Sequence, residues 1–276
     1  MAGAKRSRTA QGVLAERAIL TDMGVIEDPF ARSMLSPSMA ALYRLCRRRP
    51  QRVPTLPVTL AGLAARVLWH DAQVSAALDG GIDQVAVIGA GYDTRAWRFR
   101  RAGVRFFELD HAATQADKAR RAPGSGPTYV EADLTTQSAA ETLRDGGFDP
   151  SRPALFILEG LTMYLSEDVV RGQLRDLSHM SAAGSRLTTD FYPPGAAGAA
   201  RDQRQRRLQR FARAGSGEGL HLLVDRSQAA GLVEGSGWTV EEAVSMRASA
   251  RRLVPAACGL PVDAVNEHKT LVSASR

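Results

Sequence analysis

The chain has few of the residues that build cross-links and metal cages. Among its 276 residues there are two cysteines, Cys46 and Cys258, far apart and outside any CxxC spacing. That scarcity argues against a disulfide framework and against a thiolate zinc site. The five histidines, His70, His111, His179, His221 and His268, include no i, i+4 pair of the kind that grips a metal from one helix face. A metal enzyme is not expected. No run approaches the ~20 apolar residues needed to cross a bilayer, so no membrane partner is expected. The opening MAGAKRSRTAQG is positively charged but has no apolar stretch behind it. It does not read as a secretory signal, and the expected location is cytoplasmic. Lysine is nearly missing too, occurring only at Lys5, Lys118 and Lys269, so the net charge of +7 is almost all arginine. With abundant alanine and glycine, that pattern reflects GC-rich coding as much as selection for a polyanion. A basic balance favours anionic ligands without specifying nucleic acid.

What is present suits one large core, since 44% of the residues are hydrophobic and the charge is spread along the chain. Residues 1–80 read as helical, with candidates at Ala10–Thr21, Ser38–Arg49 and, after the proline-rich PQRVPTLP, Thr59–Leu78. Beyond Gly80-Gly81, short β-branched runs alternate with helical stretches. Strands are predicted at Gln84–Ile88, Val104–Leu109, Thr128–Glu131, Ala154–Leu158, Arg186–Phe191, Trp238–Val244 and Thr270–Ser273. Helices are predicted to begin near Thr94 and to span Ala112–Arg121, Ser138–Arg144, Glu167–Met180 behind an N-capping Ser166, and Ser227–Gly231. Such alternation predicts an α/β fold with a mostly parallel sheet covered on both faces. The whole reads as a single domain: a helical cap (1–80), a core (81–192), an insertion (193–225) and a C-terminal helix with strands (226–276).

Four strand ends carry polar chemistry in register. The first runs into Gly89-Ala90-Gly91, where glycines allow a tight turn and close approach of a ligand to the backbone. A dinucleotide fingerprint would place a further glycine where the chain has Thr94, which weakens a nicotinamide reading. The second strand ends in Glu108-Leu109-Asp110, about 20 residues on, the offset at which α/β nucleotide sites place an acid on ribose hydroxyls. Glu108 and Asp110 share a strand face. One of them could instead be solvated or cap the helix near Ala112. The third strand runs into Asp133-Leu134, an acid for the adenine amino group beside an apolar contact for the ring. Taken alone, Asp133 would more often be a loop residue or a cap. The fourth ends at Glu159, at the crevice where α/β sheets bind ligands.

The segments GAGYDTRAWRF, FELDHAATQADKA, ADL and LEGLTMYL, in this order, resemble the leucine carboxyl methyltransferase family, and within it the actinobacterial methyltransferases. The opening RTAQGVLAERAILTD…DPFAR is similar as well, so the likeness covers roughly residues 8–190. The resemblance implies a Rossmann-like class I fold, with a seven-stranded sheet and an N-terminal helical cap, that uses S-adenosylmethionine. It implies that Gly89 and Gly91 lie against the methionine moiety, Asp110 with Glu108 on the ribose, Asp133 and Leu134 on the adenine, and Glu159 beside the cofactor. Arg17 and Arg66 match basic cap positions near the cofactor's carboxylate, the looser part of the match.

The arginine-rich Arg201–Ala214 invites a nucleic-acid reading, yet Phe211 is its only aromatic residue. It is read as a substrate lid between two glycine-rich segments, and no nucleic-acid partner is expected. Trp69, Trp97 and Trp238 are read as core or cofactor-packing residues. The expected activity is O-methylation of a carboxylate, on a small molecule of secondary metabolism or on a peptide C-terminus. A carboxylate is ionised at neutrality and needs no base, and no His/Asp dyad is evident. Two other readings are a phenol or hydroxyl O-methyltransferase with His111 or His221 as base, and a non-catalytic nucleotide- or cofactor-binding protein.

Overall fold

A computed structural model of the chain describes residues 7–194 and 220–276. The sequence-predicted lid, Arg201–Ala214, lies outside these described residues. Side-chain caps start most of the longer helices. Ser7 accepts the Ala10 N–H at the head of α1 (Arg8–Asp22), and Ser36 accepts Met39 N–H ahead of α2 (Pro37–Cys46), where Pro37 supplies a preset φ. The long α3 (Leu56–Asp79) completes the cap. In the core, Ser166 caps α7 (Glu167–Met180), whose first turn carries Glu167 and Asp168 against the helix dipole. Asp225 and Gln228 form a reciprocal capping box on α8 (Arg226–Glu234). Between these lie α4 (Arg95–Arg98), α5 (Ala112–Arg121) and α6 (Ala139–Asp145), and α9 (Met246–Leu253) follows.

The strands are β1 (Gln84–Ile88), β2 (Arg105–Asp110), β3 (Thr128–Glu131), β4 (Ala154–Leu158), β5 (Arg186–Phe191), β6 (Thr239–Ser245) and β7 (Thr270–Ser275). They form one sheet in the order β3-β2-β1-β4-β5-β7-β6. Strands β1 to β5 pair in parallel, and β7 runs antiparallel between β5 and β6. Sequential strands move outward one way from β1 and the other way from β4. The crevice between those two carboxyl ends is the switch point at which such sheets take ligands.

Alternation along the strands builds a core on each face. Val85, Val87, Leu155 and Ile157 pack against the cap helices and α9, while Ala86, Ile88, Phe156 and Leu158 pack against residues of α6, α7 and α8. Trp69 and Phe156 are fully buried, and truncating Phe156 to alanine would cost about 3–5 kcal/mol. Trp97 and Trp238 are buried as well, donating their indole N–H groups to Pro123 O and Leu174 O.

Two elements differ from the sequence expectation. The helix expected near Thr94 is the single turn α4, because Arg95 and Arg98 reach sideways to acids and Gly103, at φ +80°, turns the chain toward β2. Helix α9 has no counterpart in the predicted elements. Its sequence MRASARRL is short, with an apolar stripe of only Met246, Ala250 and Leu253 among three arginines; Ser245 caps it, and its small residues let it lie close to α3. There Ser249 Oγ donates to Ala65 O at 3.2 Å. Among the described residues no helix is long and apolar enough to cross a membrane.

Candidate active site

A cleft of about 810 Å³ opens over the carboxyl ends of the parallel strands, roofed by α1 and α3. That volume lies in the upper part of the ~300–1,000 Å³ range of ligand pockets. Its floor starts at the turn after β1. Gly89 and Gly91 have φ of +68° and +51°, conformations that a side chain would strain. A Cβ on Gly89 would come within 2.7 Å of Leu161, and one on Gly91 within 3.1 Å of Ala10. The glycines therefore serve the turn and the close packing of cap and core, and they leave the backbone bare toward the cleft.

Asp110 ties this turn to β2. Its Oδ2 accepts the Gly91 N–H at 2.6 Å and its Oδ1 accepts the His111 N–H at 2.7 Å. Burial raises its pKa, and the two N–H groups partly offset that. Each oxygen keeps a second lone pair for a ligand hydroxyl. Farther along, Ala132, Leu134 and Thr135 line the cleft beyond β3. Asp133 sits at the rim, its Oδ1 accepting the Thr135 N–H at 3.0 Å and hydroxyl at 2.5 Å, which holds its pKa down. It is not itself on the wall.

Glu108 is also off the wall. It shares the Asp110 face but lies two residues deeper, about 7 Å along the strand, under α5. There Lys118 Nζ donates to its carboxylate, with both side chains out of contact with solvent. Burial pushes Glu108 up to about 7 against the pull of Lys118. The offset that singled out an acid on this strand thus marks two, and the structure brings only Asp110 to the cleft.

At the end of β4, Glu159 reaches the cleft inside a dense ion network. Arg66 Nε donates to its Oε1 at 3.0 Å, and Arg95 Nη2 pairs with its Oε2 at 2.7 Å. Burial alone would raise this carboxyl, but Arg95 and Arg66 hold it well below its ordinary value. Arg95 also pairs with Asp93 at 2.6 Å and Asp71 at 2.7 Å, and Arg98 doubly engages Asp71. Arg66 donates from Nη1 to the Tyr192 hydroxyl at 3.0 Å. Arg17 pairs with Asp28 at 2.6 Å and donates to Thr94 Oγ1 at 2.6 Å. Both cap arginines line the cleft, and their guanidinium groups are already engaged by the protein. They fasten the cap to the glycine turn and to the fourth strand end.

The far end of the cleft holds groups that the motifs did not single out. Tyr192 follows β5, Lys269 precedes β7, Asn266 lies on the β6–β7 connection, and Glu16 projects from α1. Lys269 Nζ stands 4.2 Å from the Tyr192 ring centroid. Burial pushes Glu16 up to about 7, with Arg66 and Lys269 pulling it the other way. Two signals pointed here: Glu16 shares the helical face of Val13 and Ala10, and lysine is rare enough in this chain for each one to be conspicuous. His111 and His221 both line the cleft and are exposed; the His221 N–H is bonded to Met163 O.

Residues 10–177, more than half of the chain, match the family model for leucine carboxyl methyltransferases. Three actinobacterial relatives are each named for S-adenosyl-L-methionine-dependent methyl transfer. A Mycobacterium marinum protein is 31% identical over 272 residues, 88% of this chain and 85% of the relative. A Parafrankia protein is 39% identical over 137 residues, 47% of this chain and 44% of the relative. A Mycobacterium avium protein is 32% identical over 197 residues, 67% of this chain and 65% of the relative. The chain thus spans under two thirds of the length of the latter two. Two crystal structures share the fold. A DUF574-family protein from Streptomyces avermitilis superposes with TM-score 0.63 at 17% identity, covering 98% of both chains. A Thermobifida fusca protein described as a methyltransferase gives 0.59 at 18% identity, covering 98% of this chain and 95% of its own. The chain belongs to the leucine carboxyl methyltransferase family, a family of S-adenosylmethionine-dependent methyltransferases.

Proposed function

We propose that the chain transfers a methyl group from S-adenosylmethionine to a carboxylate oxygen of a small molecule of secondary metabolism. The observation that carries this reading is the polarity of the cleft's far end. Lys269, the Tyr192 hydroxyl and the Asn266 amide offer hydrogen-bond donors to an anion there, beyond Glu159.

The near end fits the cofactor. The bare glycine turn, the spare lone pairs of Asp110 and the apolar pair Ala132 and Leu134 match a methionine moiety, a ribose and an adenine in that order. Bound S-adenosylmethionine supplies a methyl group already activated on a sulfonium sulfur. The protein therefore has to hold the acceptor oxygen in line and keep water away. Alignment of that kind contributes about 7–11 kcal/mol toward lowering a barrier. Arg66 fixes the Tyr192 hydroxyl, and the Tyr192 ring in turn seats Lys269, so the acceptor end is braced by the same arginine that holds Glu159. A carboxylate near pKa 4 arrives ionised, and no proton has to be removed.

A phenol or hydroxyl acceptor is favoured by one observation, the titratable carboxyl of Glu16 on the cleft wall. Mass spectrometry after incubation with S-adenosylmethionine and a panel of carboxylates and phenols separates the two readings. A base-labile methyl ester is the expected product. A base-stable methyl ether formed in its place would overturn the carboxylate reading.

A further inference from the structure

The buried cations around the cleft are matched by acids: Arg17 with Asp28, Arg66 with Glu159, Arg95 with Asp71, Asp93 and Glu159, Arg98 with Asp71, and Lys118 with Glu108. Glu16 and Lys269 break that rule. Both line the cleft, and among the described residues neither makes an ion pair or a side-chain hydrogen bond. Lys269 rests on the Tyr192 ring, and the two charges feel each other across the cleft without closing on one another. A fold that pairs its buried cations and leaves a half-buried carboxylate and a half-buried ammonium facing the same end of a cavity is complementary there to a ligand carrying one charge of each sign.

The sheet order places these groups at the acceptor end. Asp110 and Leu134 belong to the β2 and β3 side of the switch point, whereas Tyr192 and Lys269 follow β5 and precede β7 on the other. At about 4.8 Å per strand, β2 and β5 are some 14 Å apart, so a ligand held on Asp110 reaches the far end only with its other extremity.

We propose that the far end of the cleft is a zwitterion subsite, in which an amino-acid-type acceptor sets its carboxylate on Lys269 and Tyr192 and its ammonium on Glu16. This rests on the carboxylate reading above and goes further, because it specifies a second charged group on the acceptor. In the transfer a carboxylate oxygen lone pair forms the new O–CH3 bond. The S–CH3 bond breaks, its electron pair stays on sulfur, and no proton moves. The ester product keeps its ammonium but loses its negative charge, so it faces Lys269 unpaired and is expelled. Burial that raises Glu16 works in the same sense: the side chain gains full charge when a cation arrives beside it.

The test uses the full chain saturated with S-adenosylhomocysteine. Each common L-amino acid is titrated calorimetrically beside its N-acetyl derivative and its des-amino acid. At least one amino acid should bind about tenfold or more tightly than both counterparts, the effect of one charge-assisted hydrogen bond. Glu16→Gln should erase that preference, while affinity for S-adenosylhomocysteine stays within about twofold. Lys269→Met should weaken amino acid and des-amino acid alike. The wild-type comparison needs no variant and stands if Glu16→Gln fails to fold. Equal binding of the des-amino acids, survival of the preference in Glu16→Gln, loss of cofactor affinity in that variant, or no binding in any arm would each overturn the subsite. Methylation of plain carboxylates without an amino-acid preference defeats this inference alone. Methylation of phenols in place of carboxylates defeats the underlying reading as well.

Discussion

The two ends of the cleft handle charge in opposite ways. Under β1 and β4, acids and arginines close on one another at hydrogen-bond distance and away from water. Around Tyr192, a carboxylate and an ammonium remain open to the cavity. Taking ions out of water is costly, and only near-complete pairing repays it. The closed network therefore works as a brace joining cap, glycine turn and fourth strand. The open pair is tolerable only where water or a ligand reaches it. Charges of the first kind should report on stability when altered, and those of the second kind on ligand affinity.

The largest effect should come from breaking the brace. Arg95→Met leaves Asp93 buried without its cation and takes one of two cations from Asp71 and from Glu159, and removing one partner of a buried pair costs about 3–5 kcal/mol. Urea unfolding should show at least that loss, and an unchanged midpoint would refute the brace. Glu108→Gln sharpens the contrast. It should destabilise the chain by leaving Lys118 buried and unpaired, yet leave affinity for S-adenosylhomocysteine within about twofold, since Glu108 is off the cleft wall. Cofactor binding weakened more than tenfold, with stability intact, would restore Glu108 to the site.

Binding effects at the cofactor end come next. Asp110→Ala should weaken S-adenosylmethionine by about 1.5–3 kcal/mol, the worth of a hydrogen bond to a charged group. Part of that loss would come from freeing the Gly91 N–H that Asp110 now holds at 2.6 Å. Gly91→Leu should be worse, because a side chain there meets both the +51° φ and Ala10. Calorimetry should also find no affinity for NAD. Tight NAD binding with none for S-adenosylmethionine would overturn the assignment of the cleft.

The contrast between the ends also separates what the sequence made legible from what it hid. Strands β1 and β4 could be bounded from their apolar runs, because parallel strands buried on both faces leave a continuous signal, whereas β3 is a largely exposed edge strand and β5 carries Thr188, Thr189 and Asp190. The strand-end residues Gly89, Gly91, Asp110, Leu134 and Glu159 were readable because a parallel sheet places successive carboxyl ends in a row. Helix α9 was hidden because its eight residues hold an apolar stripe of only Met246, Ala250 and Leu253 among three arginines. Glu108 was misleading because strand periodicity gives the face of a residue and not its depth. Tyr192 and Lys269 meet only through the antiparallel insertion of β7 beside β5, a pairing of distant segments that no local pattern encodes.

A smaller effect concerns stability against pH without ligand. The folded pKa of Glu16 is raised from 4.5 to about 7, so between those values the folded chain holds a proton that the unfolded chain has released. Stability from this group is full below pH 4.5 and is lost as pH rises to about 7. His70 acts oppositely: burial lowers it from 6.5 to about 4, so its contribution is lost as pH falls through that window. Comparing wild type with Glu16→Gln isolates the first term. The two should unfold alike at pH 4, and the variant should be the more stable at pH 8. The same difference at both pH values would show that Glu16 is not held above its ordinary range.

The smallest expected effect is a flat line, and it tests the acceptor chemistry directly. With a carboxylate acceptor at saturation, the single-turnover rate should change little between about pH 6 and 8.5, because the acceptor is ionised throughout. Burial pushes Glu16 up to about 7, inside that window, so it is one group able to make the profile slope. If it only holds the acceptor's ammonium, saturating acceptor and cofactor keep it ionised in the complex, and the slope appears in acceptor affinity rather than in rate. If it removes a proton from a phenol near pKa 10, the rate itself should climb toward a plateau governed by Glu16, and Glu16→Gln should abolish the climb. His111 and His221 also line the cleft, so the same profile is needed with each replaced by glutamine. A tenfold rise that survives Glu16→Gln and vanishes with one histidine variant would assign the base to that histidine and hydroxyl methylation to the enzyme. A flat rate, with affinity rising through about pH 7 in wild type only, fits an acceptor that brings its own negative charge to Lys269 and a positive one to Glu16.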